Sequence, residues 1–200
     1  RPELPMAHLL PHWNWPERVG QVTPVHLYTS GDEAELFLNG QSLGRKKRGP
    51  RDYRLRWDDV VYQPGTLKAV VYKAGKPWAE DTVKTTGAAA KLALTPDRAS
   101  LRADGTDLSF VTVAITDKDG KTVPRTHNPV RFTVSGPGEL VATDNGDATS
   151  HVAFQSPERQ AFNGLALAIV RAKAGQGGQI VVTATSEGLG ASKVTLSSKP

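Results

Sequence analysis

Asn39-Gly40 stands between Glu35-Leu36-Phe37-Leu38 and Gln41-Ser42-Leu43, and no other junction constrains the chain as tightly. Both residues tolerate the positive φ that a type I′ turn requires at its two central positions, so the flanking runs must pair as an antiparallel hairpin. Comparable punctuation recurs throughout: fourteen prolines and nineteen glycines in 200 residues separate short runs rich in Val, Thr, Leu and aromatics. That spacing belongs to an all-β chain rather than a helical one. In Tyr53-Arg54-Leu55-Arg56-Trp57 the period of two predicts Tyr53, Leu55 and Trp57 on a core face and both arginines in water.

Strand patterns are expected over 6–10, 22–28, 34–38, 41–44, 53–57, 67–72 and 78–84 in the first half. In the second they are expected over 92–95, 109–116, 130–134, 140–143, 165–172, 180–184 and 193–196. Between the halves, Thr85-Thr86-Gly87-Ala88-Ala89-Ala90 is small, uncharged and without alternation, so it reads as a linker with the boundary near Gly87. The regular spacing of turns argues for two tandem immunoglobulin-like β-sandwich domains, residues 1–86 and 88–200. No sequence repeat relates them, so two different sandwiches are expected. Trp57 and Trp78 each lie on an alternating strand and are assigned to the cores.

The net charge of +5 raises the question of a polyanion partner, but acidic residues are interspersed and Arg45-Lys46-Lys47-Arg48 is the one basic run. It follows a turn, lacks interleaved aromatics and reads as the solvated face of a strand; no nucleic acid is expected as partner. Zero cysteines exclude disulfides, thiol catalysis and Cys-ligated metals. No apolar run reaches the roughly 20 residues that cross a bilayer, so no membrane partner is expected. Arg1 to Leu10 has no signal-peptide layout of basic start and apolar core, and the opening Arg1-Pro2-Glu3-Leu4-Pro5 suggests a piece of a longer chain.

Asp117-Lys118-Asp119-Gly120 resembles the opening of a calcium loop, but Val123-Pro124 follows where further oxygen ligands would be required. A hairpin turn is the better reading, and Asp144-Asn145-Gly146-Asp147 is likewise a polar turn. Glycosidic cleavage needs two carboxyl groups about 5 to 9.5 Å apart, and none of Glu33, Glu35, Asp58, Asp59 or Glu158 has a partner visible in the pattern. Five histidines lack metal spacing, and no G-x-S-x-G motif occurs. No catalytic residue, metal ligand or cofactor is therefore assigned.

One segment is unusual. His8-Leu9-Leu10-Pro11-His12-Trp13-Asn14-Trp15-Pro16 holds two of the four tryptophans within three residues. In an extended segment Trp13 and Trp15 share a side, and His12, Trp13, Asn14 and Trp15 form a candidate substrate-binding set, with rings for a sugar face and polar groups for its hydroxyls. Docking against another domain of the same protein is the competing reading.

His8 to Trp15, followed by Val25-His-Leu-Tyr-Thr-Ser-Gly-Asp-Glu-Ala-Glu-Leu-Phe-Leu-Asn-Gly-Gln-Ser-Leu-Gly44, resembles the region after the catalytic barrel in bacterial family 2 glycoside hydrolases of the β-galactosidase type. Asp144-Asn-Gly-Asp147, Phe154-Gln-Ser-Pro-Glu-Arg159 and Ala161-Phe-Asn-Gly164 are similar to the terminal immunoglobulin-like module of the same enzymes. The resemblance implies a retaining parent enzyme whose acid/base and nucleophile glutamates lie upstream, in a barrel, and no residue here maps onto them. It implies an accessory role, with the barrel of the same chain as partner, a galactose-containing glycan as substrate and a periplasmic or secreted location. The alternatives are an independent carbohydrate-binding module and an immunoglobulin-like adhesion repeat.

Overall fold

A computed structural model describes residues 2–199, which divide into two compact units between Thr85 and Thr86. The architecture is all-β, with a single 3-10 turn at Pro16–Arg18 among the described residues.

The first unit contains β1 (Ala7–Leu10), β2 (Val25–Thr29), β3 (Glu33–Leu38), β4 (Gln41–Lys47), β5 (Leu55–Trp57), β6 (Thr66–Lys73) and β7 (Lys76–Lys84). They form a three-stranded sheet in the order β1-β2-β5 and a four-stranded sheet in the order β4-β3-β6-β7. Alternation decides the facing. Leu9, Val25, Leu27, Leu55 and Trp57 from one sheet meet Ala34, Leu36, Leu38, Leu67, Ala69 and Val71 from the other in one buried cluster. Fully burying a side chain of this size contributes about 1.5–3 kcal/mol, so a register slip of one residue would turn the core outward and is strongly disfavoured.

The hairpin forms where its turn chemistry demands, with φ of 51° at Asn39 and 84° at Gly40. Asn39 does more than turn. Its Oδ1 accepts the Thr66 N–H at 2.8 Å and its Nδ2 donates to the Pro64 carbonyl at 3.1 Å, tying the hairpin tip to the start of β6. The basic run solvates β4 as expected: Arg45 pairs with Glu33 at 2.6 Å, and Lys46 lies over the Trp57 ring. Tyr53 departs from the expected core face. β5 begins only at Leu55, so Tyr53 sits in a bend outside the pleat and is 68 % exposed. Trp78 is part-buried at the core's margin, its Nε1 donating to the Ser30 hydroxyl at 2.9 Å.

The second unit contains β8 (Lys91–Pro96), β9 (Ser100–Arg102), β10 (Leu108–Thr116), β11 (Pro129–Ser135), β12 (Gly138–Asp144), β13 (Glu158–Gln160), β14 (Leu165–Ala172), β15 (Gly178–Ser186) and β16 (Gly190–Lys199). Its sheets run β12-β14-β10-β8 and β13-β11-β15-β16-β9. Their inner faces close over Val111, Val113, Ile115, Ala168 and Val170 on one side and Val130, Phe132, Ile180, Val182 and Leu196 on the other. The three-residue strands β9 and β13 are edge additions with no alternating run of their own. β9 pairs parallel to the end of β16, a register that no local pattern announces.

Asp117 is a turn clamp. It is 1 % exposed; Oδ1 accepts the N–H groups of Asp119 at 3.0 Å and Lys121 at 2.9 Å, and Oδ2 accepts that of Gly87 at 3.0 Å. In the 144–149 turn, Asp144 Oδ1 accepts the Asn145 and Gly146 N–H groups, and Asp147 Oδ1 accepts both the N–H and the hydroxyl of Thr149.

Candidate functional site

The tryptophan segment leaves β1 through a cis Leu10–Pro11 peptide and ends at the 3-10 turn whose first residue is Pro16. Over this stretch the backbone is not a strand, so the two-residue period does not hold and the two indoles part company. The expected side-by-side pair is therefore corrected. Trp13 is wholly buried in the first unit's own core, its ring 4.8 Å from that of Tyr62 at 54°. Its Nε1 donates to the Gln63 carbonyl at 2.9 Å, and its carbonyl accepts the Thr85 hydroxyl at 2.6 Å. An indole so enclosed cannot stack on a sugar. It anchors the segment.

Trp15 folds back over His12. The two rings are stacked with centroids 4.4 Å apart at 19°, and the Trp15 Nε1 donates to the His12 carbonyl at 2.8 Å. The Tyr62 hydroxyl accepts the Trp15 N–H at 3.1 Å, so one phenol ties both tryptophans in place. His12 Nδ1 accepts the Asn14 N–H at 3.3 Å, which leaves Nε2 as the ring's protonated nitrogen when it is neutral. His12, Asn14 and Trp15 are all half-buried. Their arrangement offers a locked aromatic pair with one amide beside it, on a segment pinned by Trp13 and Tyr62.

Four of the five carboxylates singled out from the sequence are held by cations or hydroxyls. Glu33 pairs with Arg45, Asp58 with Arg56 and Glu158 with Arg131, while Glu35 accepts the Ser42 hydroxyl at 2.6 Å. Among the described residues the displaced carboxyl groups move downward. Backbone N–H groups of Phe110, Thr106 and Gly87 lead the causes at Asp97, Asp104 and Asp117, and the Lys118 and Thr149 side chains lead at Asp119 and Asp147. A glycosidic general acid needs the opposite displacement.

One residue with a distinct environment was missed from the sequence. Arg159 is 2 % exposed and caps the loop between β12 and β13. Its flanking Glu158 and Gln160 are exposed, so the alternation of β13 was the available signal, obscured by the strand's shortness.

The class that these sheets define is a pair of largely antiparallel β-sandwich modules. Residues 92–195 match the glycoside hydrolase family 2 C-terminal domain 5, and residues 20–79 match a domain of unknown function (DUF4982). The chain belongs to glycoside hydrolase family 2, within its C-terminal region. It is 42 % identical over 185 residues to the β-galactosidase BoGH2A of Bacteroides ovatus, covering 92 % of this chain and 21 % of that protein. To a β-glucuronidase of Formosa agariphila it is 30 % identical over 141 residues, covering 68 % of this chain and 14 % of that protein. The crystal structure of a β-glycosidase from Bacteroides vulgatus superposes with a TM-score of 0.92 at 33 % identity, over 98 % of this chain and 25 % of that one. The chain thus spans 14–21 % of the length of these two curated relatives. No described helix is long and apolar enough to cross a membrane.

Proposed function

We propose that this chain is the non-catalytic accessory part of a glycoside hydrolase acting on galactosides, with the catalytic barrel of the same protein as its partner. The carrying observation is the match in extent, 92 % of this chain against 21 % of a β-galactosidase. Residues 1–86 pack on the barrel and shape the approach to its pocket; residues 88–200 extend the scaffold or mediate assembly. Of the tryptophan segment, His12, Asn14 and Trp15 are the groups offered to substrate or barrel, and Trp13 holds them in place from within. The parent is a retaining enzyme, periplasmic or secreted. Downward-shifted carboxyl groups and ion-paired glutamates support the assignment of chemistry elsewhere in the parent.

Two measurements test this. The 200-residue chain, incubated with nitrophenyl galactoside, is expected to release no nitrophenol; turnover would overturn the accessory reading. The parent enzyme with Trp15→Ala is expected to lose kcat/KM on long galactosides more than on nitrophenyl galactoside. Equal values for both substrates relative to the unaltered parent would remove the segment from substrate approach.

A further inference from the structure

The outer face of the β1-β2-β5 sheet is unlike the other faces of the first unit. Cross-strand register places Leu10 opposite His26 and His26 opposite Arg56, with His8 opposite Tyr28 in the next row. The bend before β5 adds Tyr53 and Arg54 to this face. The Tyr28 and Tyr53 ring centroids lie 6.4 Å apart at 38°, and Arg54 lies over the Tyr53 ring, 5.2 Å from its centroid. Tyr53 is 68 % and Leu10 40 % exposed, a cost in water-exposed apolar surface that nothing in the unit's own packing recovers.

The charge of the face is lopsided. Arg56 is matched by Asp58, which accepts from both its Nε and Nη2. Arg54 has no carboxylate partner among the described residues; its Nη1 meets His26 Nδ1 at 3.3 Å instead. Since a guanidinium only donates, His26 presents an acceptor there and is the neutral imidazole. Burial and then the Arg54 and Arg56 charges hold the His26 pKa below its ordinary value, against a smaller opposing pull from Asp58.

From this juxtaposition we propose that the outer face of the β1-β2-β5 sheet binds an acidic polysaccharide, a uronate-bearing strand whose sugar face lies on Tyr53 and Tyr28 and whose carboxylate meets Arg54. The inference rests on the reading of the chain as part of a glycan-processing protein. Its chemistry is specific. A pyranose ring presents axial C–H groups to an aromatic plane, and a carboxylate at its rim falls within reach of the Arg54 guanidinium that lies over the Tyr53 ring, where two parallel N–H donors match two oxygens. An acidic peptide engages the cation but leaves both rings unused.

The test is affinity electrophoresis of the 200-residue chain through gels holding polygalacturonate, neutral galactan or poly-glutamate, at low and moderate salt. Retardation is expected in polygalacturonate, weakened by salt, with no comparable retardation in galactan. Tyr53→Ala and Arg54→Ala should each weaken it by about tenfold, the scale of one lost charged hydrogen bond or stacked ring. Lys193→Ala, which removes the same charge from an exposed position in the second unit, should leave it unchanged. Because Tyr53 is exposed, circular dichroism melts of its variant should superpose on the parent melt and exclude misfolding. No retardation, retardation equal in the Lys193 and Arg54 variants, or equal retardation in poly-glutamate would each overturn the proposal. None of these outcomes bears on turnover by the chain or on the parent enzyme's kcat/KM.

Discussion

The Arg159 guanidinium donates from Nη2 to the Thr143 carbonyl at 2.8 Å and from Nε to the Thr143 hydroxyl at 3.2 Å, joining the end of β12 to β13 across a buried gap. Its Nη1 and Nη2 also donate to the Val152 and Ala153 carbonyls, each at 2.9 Å, and Nη1 reaches the Ser150 hydroxyl at 3.4 Å. The five acceptors are neutral oxygens, four of them within the fork geometry that only a planar guanidinium spans. A buried cation is costly unless it is fully hydrogen-bonded, and here the end of β12 supplies two acceptors while the loop over 145–157 folds around the guanidinium to supply the other three.

Arg159→Lys should therefore behave as a loss rather than a conservative change. One ammonium cannot reach carbonyls on both sides, and the buried oxygens left unpaired should lower the second unit's stability by about 3 kcal/mol. Urea unfolding followed by far-UV circular dichroism checks this. A midpoint equal to that of the unaltered chain would show the loop to be held by other contacts.

Trp13→Phe separates packing from hydrogen bonding at the anchor of the tryptophan segment. The phenyl ring keeps contact with Tyr62 but leaves the Gln63 carbonyl without its indole donor, an expected loss of about 1–3 kcal/mol. Trp13→Ala adds a cavity and should cost roughly 3–5 kcal/mol. Comparing the two variants by thermal unfolding should give that order.

Gly65 is replaceable by no other residue without loss. Its φ is +140°, and a Cβ there would sit 1.9 Å from Asn39 Oδ1. Gly65→Ala is thus expected to expel the Asn39 side chain, break both of its hydrogen bonds to the start of β6, and strain the backbone, together about 2–4 kcal/mol. Asn39→Gly, which keeps the turn and removes only the clamp, should cost less. Urea midpoints for the pair decide the ranking.

Asp117 couples stability to acid. Its folded pKa lies below the ordinary 3.8, chiefly because the Gly87 and Lys121 N–H groups donate to the ionised form. The unfolded chain then binds the proton more readily, so this contribution is present in full above pH 3.8 and disappears as pH falls through the lower folded value. Asp117→Ala should be less stable than the unaltered chain at pH 7, and the gap should narrow progressively below pH 4. Denaturation midpoints between pH 7 and pH 2.5 measure that gap directly.

Much of the architecture is legible in the sequence alone. The Asn39-Gly40 hairpin, the alternating strand at 165–172 and the solvated basic run all follow from short-range rules, because turn dihedrals and side-chain alternation are local properties. Asp117-Lys-Asp-Gly and Asp144-Asn-Gly-Asp read as turns for the same reason. The family resemblance came from motifs spread along nearly the whole chain.

What local pattern could not supply was the fate of groups whose environment comes from far along the chain. Tyr53 looked like core because its spacing continued that of Leu55 and Trp57, yet the strand starts two residues later. Trp13 and Trp15 looked like a pair because the segment was read as extended, but Tyr62 and Gln63, about fifty residues away, draw one indole inward and hold the other against His12. Arg159 gave only the short alternation of β13 as a sign of burial, since two of its five acceptors come from Thr143 on β12 and three from a distant stretch of the following loop. Alternation and turn chemistry determined the strands; burial, which depends on which distant oxygens and rings arrive at the same place, was decided only by the tertiary structure.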